Sequence, residues 1–141
     1  MIVLDANILL YAYGAPSPEH QKARACVEEL FSGSELVGLP WQTITAFLRI
    51  STNPRLSVSR PAPEVVQEVD QWLQRRCVRV LVPGDNYWAV LREMVVSGQA
   101  PGVLVSDAEI AALTIENGGI LYTADRDFTR FPGLRWKNPL S

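Results

Sequence analysis

Short apolar segments alternate with amphipathic, helix-like segments along the whole chain of 141 residues. The first segment, Ile2–Asp5, is a short apolar run that ends at a polar residue, which is typical of a buried strand. Four more segments share this character: Leu36–Leu39, Arg79–Val82, Ile120–Thr123 and Leu134–Lys137. Strands that alternate with helices form parallel sheets covered on both faces. We therefore predict an α/β fold with a mainly parallel central sheet and helices on both faces, in one domain spanning residues 1–141.

Proline and N-cap residues indicate where the helices between these strands begin. Ser17 and Pro18 fit the N-cap and the first position of one helix, and Asp85 fits the N-cap of another. The predicted helices are Asn7–Tyr13, one from Ser17 to about Ser32, one from Pro40 to about Thr52, one opening at Pro61, one from Asp85 to about Val96, and Ser106–Asn117.

The composition argues against several classes of functional site. The formal net charge is −2, so nucleic-acid binding requires a local basic patch. Cys26 and Cys77 match no metal-ligand spacing and His20 is the only histidine, so neither a zinc site nor a histidine-based nucleophilic mechanism is expected. No signal peptide precedes the first strand and no apolar run approaches about 18 residues, so we expect a cytoplasmic protein.

Three aspartates stand where an apolar segment stops. Asp5 ends the first strand, Asp107 follows the segment Gly102–Ser106, and Asp125 follows Gly119–Thr123. Side chains at the carboxyl ends of parallel strands converge on one crevice, where carboxylates repel one another and lose solvation. A divalent cation removes that repulsion, and ligands that are all oxygen suit Mg²⁺ or Mn²⁺. The pattern therefore favours a metal-dependent hydrolase.

Each of these aspartates also has a structural interpretation. Asp5 begins the next helix, and Asp125 fits the cap of a short turn over Arg126–Phe131. Ser106 and Glu109, on either side of Asp107, fit a capping box. Capping explains any one aspartate alone, whereas three at strand ends or helix starts favour a shared metal site.

Several segments resemble PIN-domain ribonucleases. They are Leu4–Asn7, Ser106–Ala112 and Thr123–Phe128, together with the closing segments Phe131–Trp136 and Asn138–Leu140, which look like the VapC toxins of bacterial toxin–antitoxin pairs. The resemblance spans the whole chain in the expected order. It implies an endoribonuclease that depends on Mg²⁺ or Mn²⁺, forms a homodimer, and is held inactive by a VapB-type antitoxin.

The resemblance also implies roles for individual residues. Asp5, Asp107 and Asp125 match the catalytic, metal-binding carboxylates of the family. Thr123 matches the small hydroxyl residue that orients the last acid, and Asn7 is a second supporting residue. Asp127, two residues after Asp125, is a further candidate ligand.

One position departs from the family pattern. The family has a glutamate on the helix after the second strand, where this chain reads Thr45–Arg49, and we align Ala46 with the missing acid. At about 100° per residue, Ala46 falls on the polar side of that helix, opposite Ile44 and Phe47. Ala46 is either the site of a lost ligand or an ordinary surface position. Gln42, one turn earlier, offers a substitute oxygen, and Glu109 is a weaker candidate because its side chain diverges from that of Asp107.

The candidates for RNA contact are Arg49 and Arg126, because both lie near the predicted ligands. Most arginines are simply solvated, and this applies more strongly to Arg55, Arg60, Arg130, Arg135 and Lys137. Aromatic residues are more often core or dimer contacts than base-stacking platforms, and this applies to Tyr11, Tyr13, Trp41, Trp72, Trp88 and Trp136.

Three other functions compete with a ribonuclease. A PIN-fold protein with weak or lost catalysis that binds RNA or an antitoxin is favoured by Ala46. A response-regulator receiver requires a phosphoacceptor near Leu36–Leu39 and a lysine after the fourth strand, and neither is present. A phosphatase of the haloacid-dehalogenase type requires a second aspartate where Asn7 stands.

Overall fold

Five short strands form the centre of the computed structural model, which describes residues 1–141. They are β1 (Ile2–Leu4), β2 (Val37–Pro40), β3 (Val78–Leu81), β4 (Ile120–Tyr122) and β5 (Trp136–Lys137). The strand order is β3-β2-β1-β4-β5, and every neighbouring pair is parallel. The predicted α/β class is confirmed, and the sheet is wholly rather than mainly parallel.

Six helices connect the strands, as predicted, with bounds that differ from the prediction by a few residues. They are α1 (Ala6–Tyr13), α2 (His20–Ser32), α3 (Trp41–Ser51), α4 (Ala62–Leu73), α5 (Tyr87–Ser97) and α6 (Val105–Glu116), with 3-10 turns at Gly102–Leu104 and Arg126–Arg130. None of the helices is long and apolar enough to cross a membrane.

The helices cover both faces of the sheet. Ile2 and Leu4 of β1 face a core that includes residues of α1, α2, α3 and α4. Val3, between them, faces a second core with α5 and α6. Because side chains alternate between the faces of a strand, a strand that is apolar at every position is buried on both sides. This explains why β1 reads as a continuous apolar run rather than as an alternating one.

The predicted caps of α2 and α5 are wrong. The Ser17 carbonyl accepts a hydrogen bond from the His20 backbone N–H at 3.2 Å, so Ser17 lies in a turn before α2, and its buried hydroxyl has no partner. At α5 the N-cap position is Asn86 rather than Asp85, and no side chain caps the helix. The loop before α5 is held instead by the Glu116 carboxylate, which accepts from the backbone N–H groups of Gly84 at 2.9 Å and Asn86 at 3.1 Å.

The predicted capping box around Asp107 is also absent. The 3-10 turn Gly102–Leu104 leads directly into α6, which begins at Val105. Ser106 therefore lies inside the helix rather than at its N-cap. The interpretation of Ser106 and Glu109 as a capping box is therefore wrong.

The point where the chain changes direction across the sheet lies beside β1. The chain passes from β1 to β2 and β3 on one side and returns to β4 on the other. Ligand sites of open α/β sheets lie at the carboxyl ends of the strands flanking such a point. Here those strands are β1 and β4, and Asp5 and Thr123 immediately follow them.

Candidate active site

Asp5 occupies the end of β1 and the N-cap of α1, and both of its oxygens accept hydrogen bonds. Oδ1 accepts from the backbone N–H of Ala6 at 2.8 Å. Oδ2 accepts from the Thr123 hydroxyl at 2.7 Å and from the Asn7 side-chain amide at 3.2 Å. The capping interpretation is thus correct for Asp5, and the same carboxylate is tied to the end of β4.

Thr123 and Asn7 connect the two strand ends. The fully buried Thr123 accepts hydrogen bonds from the backbone N–H of Asp125 at 3.0 Å and from the Asn7 amide at 3.1 Å. The Asn7 carbonyl oxygen accepts from the backbone N–H of Ala124 at 3.2 Å. Both the nitrogen and the oxygen of the Asn7 amide are used. An aspartate at position 7, as the phosphatase alternative requires, would place a second carboxylate oxygen against Asp5.

Asp125 also has a structural role. Its Oδ1 accepts from the backbone N–H of Asp127 at 2.8 Å and so caps the 3-10 turn that follows. The capping interpretation is therefore correct here as well. Asp127 is exposed and lies on the rim of the acidic group, close enough for its charge to act on Asp107.

Asp107 differs from the other two, because its carboxylate makes no hydrogen bond to the protein. It lies in the first turn of α6 and is half-buried. Burial raises the pKa of Asp107 to about 6, and repulsion from Asp5, Asp125 and Asp127 adds to that shift. Arg130 opposes it. A carboxylate held in this position without a partner is costly for the fold and is typical of functional sites.

The electrostatics of Asp5 show a balance of opposing effects. Burial raises the pKa of the Asp5 carboxyl, the hydrogen bonds from Thr123 and Ala6 lower it, and the charge of Asp125 raises it. Asp5, Asp107 and Asp125 thus act on one another through their charges. The structure gathers the three predicted acids at one edge of the sheet.

The donor chemistry of this edge fits a hard divalent cation. All the side chains that gather there offer oxygen, and their mutual repulsion is the kind that a cation relieves. The side chains do not form a ready-made cage, since no group of three His, Cys, Asp or Glu residues is spaced to hold one ion directly. That one ion is shared by all three aspartates stays a prediction.

The PIN domain family matches residues 2–134 of the chain. The chain belongs to the PIN-domain family. Ribonuclease VapC43 of Mycobacterium tuberculosis is 36% identical over 141 residues, covering 99% of this chain and 96% of VapC43. Ribonuclease VapC48 of the same species is 35% identical over 139 residues, covering 97% and 96%. Within the family, the chain therefore groups with the VapC ribonucleases.

Solved structures show the same fold at lower identity. VapBC-1 from nontypeable Haemophilus influenzae has a TM-score of 0.71 and 20% identity, covering 100% of each chain. Mycobacterium tuberculosis VapC20, described as a Sarcin-Ricin loop cleaving toxin, has a TM-score of 0.69 and 18% identity, covering 96% of this chain and 99% of that one. These matches support the PIN fold over its full length.

Ala46, which the sequence aligns with the missing PIN-domain glutamate, lies on the side of α3 nearest the acids. Thr43 fixes that side, since its buried hydroxyl donates to the Leu4 carbonyl at 2.8 Å, next to Asp5. Ala46 is one turn further along α3 and is partly exposed, whereas Phe47 is fully buried. The helix orientation agrees with the predicted one.

The substitutes considered for the missing acid lie elsewhere. The Gln42 amide donates to Glu109 at 2.7 Å, while its own oxygen is buried and has no partner. Glu109 does not figure among the charges that act on Asp107. It faces Tyr87 instead, where it adds to the burial that raises the pKa of the Tyr87 hydroxyl to about 12. The prediction that Glu109 diverges from Asp107 is consistent with this arrangement.

Some basic side chains form ion pairs or hydrogen bonds within the protein, and others form none. Arg49 and Arg126 are exposed and form no ion pair or side-chain hydrogen bond, which leaves them available to a ligand. Arg60 is committed to Glu64 at 3.0 Å and Glu68 at 2.8 Å. Arg130 donates to the Gln99 carbonyl at 2.8 Å and so fastens the loop between α5 and α6. Sequence alone did not reveal that tie, because it joins two irregular segments.

Asp107→Asn should stabilise the PIN domain without metal above about pH 6 and have little effect below pH 4. The folded-state pKa of Asp107, about 6, lies above the ordinary value of 3.8. The penalty that ionised Asp107 places on folding therefore grows as the pH rises from the ordinary pKa towards the folded-state pKa, is complete above the folded-state pKa, and is absent below the ordinary value. Urea unfolding of both proteins with EDTA across this range measures the difference. Asp70→Asn on the exposed face of α4 is the control, and its effect on the free energy of unfolding should not change with pH. An effect of Asp107→Asn that is equally independent of pH would contradict the prediction.

Thr123→Val should lower the free energy of unfolding by about 1–3 kcal/mol, because it removes one hydrogen bond each from Asp5 and Asn7 and leaves the Asp125 backbone N–H without a partner. Thr114→Val is the matched control. The equally buried Thr114 hydroxyl donates only to the Ile110 carbonyl at 2.8 Å, and that carbonyl keeps its helical partner. Chemical denaturation of both variants tests this, and equal losses would show that Thr123 has no special role.

Proposed function

We propose that this PIN-domain protein is the toxin of a VapBC-type toxin–antitoxin pair, an endoribonuclease that hydrolyses RNA phosphodiester bonds with Mg²⁺ or Mn²⁺. Asp5, Asp107 and Asp125 hold the metal and Asp127 stands at the rim as a further ligand. Thr123 and Asn7 keep the acids in position. A VapB-type antitoxin inhibits the enzyme, and the toxin forms a homodimer within the larger complex.

The single observation that carries this proposal is the state of Asp107. Asp5 and Asp125 are held by hydrogen bonds that contribute to folding. Asp107 has no such bond, yet it is half-buried and repelled by its neighbours. Since folding alone does not favour a carboxylate there, its presence is explained by a cation that binds between the acids.

Each residue has a distinct part in the chemistry. Asp5, Asp107 and Asp125 would hold the divalent ion, which when bound would supply activation of water and stabilisation of the charge that develops on the phosphate and on the leaving oxygen. Asp5 is the most rigid ligand, because Thr123, Asn7 and Ala6 fix both of its oxygens. Asp107 is free to rotate toward the ion.

The relatives support the same activity. VapC43 and VapC48 are named ribonucleases and align with this chain along nearly all of its length. The similar solved structures include VapBC2 from Rickettsia felis bound to a DNA fragment from its promoter and a DNA-bound VapBC from Salmonella typhimurium. These complexes contain both members of a VapBC pair, and they support an antitoxin as the partner of this chain.

A second candidate function rests on Ala46. If the lost glutamate is not replaced, the protein binds RNA or its antitoxin with little catalysis. The two tests that follow distinguish this possibility from an active ribonuclease.

Asp5→Asn should abolish metal-dependent RNA cleavage and growth inhibition while the protein stays folded. The substitution removes a charged ligand from the predicted ion, and the amide that replaces the carboxylate retains an oxygen for the Ala6 N–H. Cleavage of single-stranded RNA is measured with Mg²⁺, with Mn²⁺ and with EDTA, alongside circular dichroism. Asp70→Asn is the matched control and should cleave as the unmodified protein does. If the unmodified protein still cleaves RNA in EDTA, the metal mechanism is refuted. If it cleaves RNA under none of these conditions, the second candidate function, binding with little catalysis, is favoured.

Ala46→Glu should reverse its effect on stability when Mg²⁺ is added. Without metal, a carboxylate at this position joins a repulsive acidic group and lowers the free energy of unfolding. With metal, it supplies a charged ligand and stabilises the folded state through binding to that state alone. Thermal unfolding across a Mg²⁺ titration measures the change. Thr45→Glu, at an exposed neighbouring position of α3, is the control, and parallel curves for the two variants would mean that Ala46 is plain surface.

A further inference from the structure

We propose that Gln42 and Glu109 are positioning residues of the acidic edge, and that the hydrogen bond between them holds α6, and with it Asp107, in place against Asp5. This inference rests on the proposed metal-dependent function. It assigns a role to two side chains that are themselves neither metal ligands nor RNA contacts.

Asp107 depends on its helix for its position. Its carboxylate makes no hydrogen bond, whereas the carboxylates of Asp5 and Asp125 accept hydrogen bonds from fixed donors. The charges of Asp5, Asp125 and Asp127 act on Asp107 and repel it. No hydrogen bond to its side chain keeps Asp107 beside the other acids, so its place is set by the contacts that hold the first turns of α6.

One hydrogen bond joins α6 to α3. The Gln42 amide donates to the Glu109 carboxylate at 2.7 Å, and no other hydrogen bond or ion pair connects the two helices. A bond of this length between an amide and a carboxylate belongs to the stronger, charge-assisted class. Because Glu109 comes two residues after Asp107, the bond holds α6 within one turn of the acid.

α3 is in turn fixed to the end of β1. Trp41, at the start of the helix, is 50% exposed, but Thr43 is fully buried, and its hydroxyl donates to the Leu4 carbonyl at 2.8 Å. Leu4 immediately precedes Asp5 in the chain. Two hydrogen bonds from adjacent residues of α3 therefore connect the residue before Asp5 with a residue just after Asp107.

Glu109 has no direct electrostatic effect on the acid that it positions. It does not cap α6, since Ser106 lies inside the helix, and it forms no ion pair. Its charge is not among those that act on Asp107. An effect of Glu109 on the site therefore passes through the backbone of α6 rather than through its charge.

The buried contacts at this end of α6 are apolar. Ala108, Ile110 and Ala111 belong to the core that α6 shares with α5. Packed helices slide past one another by small amounts, and such a slide of α6 moves Asp107 relative to Asp5 without opening the core. A short hydrogen bond to α3 fixes one point of α6 and so opposes the slide.

The test is the affinity of each variant for Mn²⁺, measured without RNA from the electron paramagnetic resonance signal of the free ion. Gln42→Leu removes the donor, and Glu109→Ala removes the acceptor. Each should weaken Mn²⁺ binding roughly 2- to 30-fold, the range for a residue that acts through a network of contacts. The double variant should bind no more weakly than the worse of the two single variants, because both substitutions remove the same bond.

Two further variants separate positioning from charge and from general stability. Glu109→Gln loses the charge but keeps an oxygen that accepts from Gln42, so it should retain most of the Mn²⁺ affinity. Glu116→Ala is the matched control, because it removes a carboxylate of the same helix that holds a loop at the far end. It should lower the free energy of unfolding in EDTA and leave Mn²⁺ affinity unchanged.

Two results would overturn the inference while leaving the proposed function intact. One is unchanged Mn²⁺ affinity for Gln42→Leu and Glu109→Ala, both folded by circular dichroism, which would make the bond a structural tie only. If Glu109→Ala does not fold, Gln42→Leu alone decides this point. The other is a loss for Glu109→Gln as large as that for Gln42→Leu, which would mean that Glu109 acts through its charge. If the unmodified protein neither binds Mn²⁺ nor cleaves RNA, the proposed function itself fails, and this inference fails with it.

Discussion

The hydrogen bond from the Thr123 hydroxyl to Asp5 joins the ends of the two central strands, and the arrangement of the acidic edge depends on it. Each carboxylate there is repelled by the others, so the edge needs fixed donors to hold it together. Thr123 supplies one to Asp5 and accepts from the Asp125 backbone in return. Asn7 closes the same network from the first turn of α1. Two of the acids are thereby held in position by neutral groups, and only Asp107 is left without a partner.

The fold was largely predictable from the sequence, because strands buried on both faces read as continuous apolar runs and the prolines mark the helix starts. The sheet order could not be predicted, since pairing between distant strands leaves no local signal in the sequence. Caps failed for the same reason: Glu116 holds the loop before α5 from 30 residues away along the chain. The local sequence pattern shows where a helix or strand lies. The exact residues at which it begins and ends depend on contacts with parts of the chain that are distant in sequence.

In the candidate site, too, the features with a local sequence signal were predictable and those that depend on distant contacts were not. Asp5, Asp107 and Asp125 were identified by their places after apolar segments, and the structure gathers them at one edge. The tie between Gln42 and Glu109 was not predicted, because it crosses from α3 to α6. It explains why neither Gln42 nor Glu109 substitutes for the acid missing at Ala46, because the two side chains are hydrogen-bonded to each other. The exposure of Trp41 also escaped the sequence, in which a tryptophan after an apolar strand resembles a core residue.

The central position of β1 has a consequence for synthesis of the chain. Of the five strands, β1 leaves the ribosome before the other four, yet its neighbour β4 is the fourth to do so, and the contact between Asp5 and Thr123 closes a separation of 118 residues. Contacts so distant in sequence form late and slowly. A nascent chain that stops before residue 123 lacks both Thr123 and Asp125, so its acidic edge is neither complete nor held in position. Under the proposed mechanism, a growing chain of this kind could not cleave the RNA around it until nearly all of it had been made.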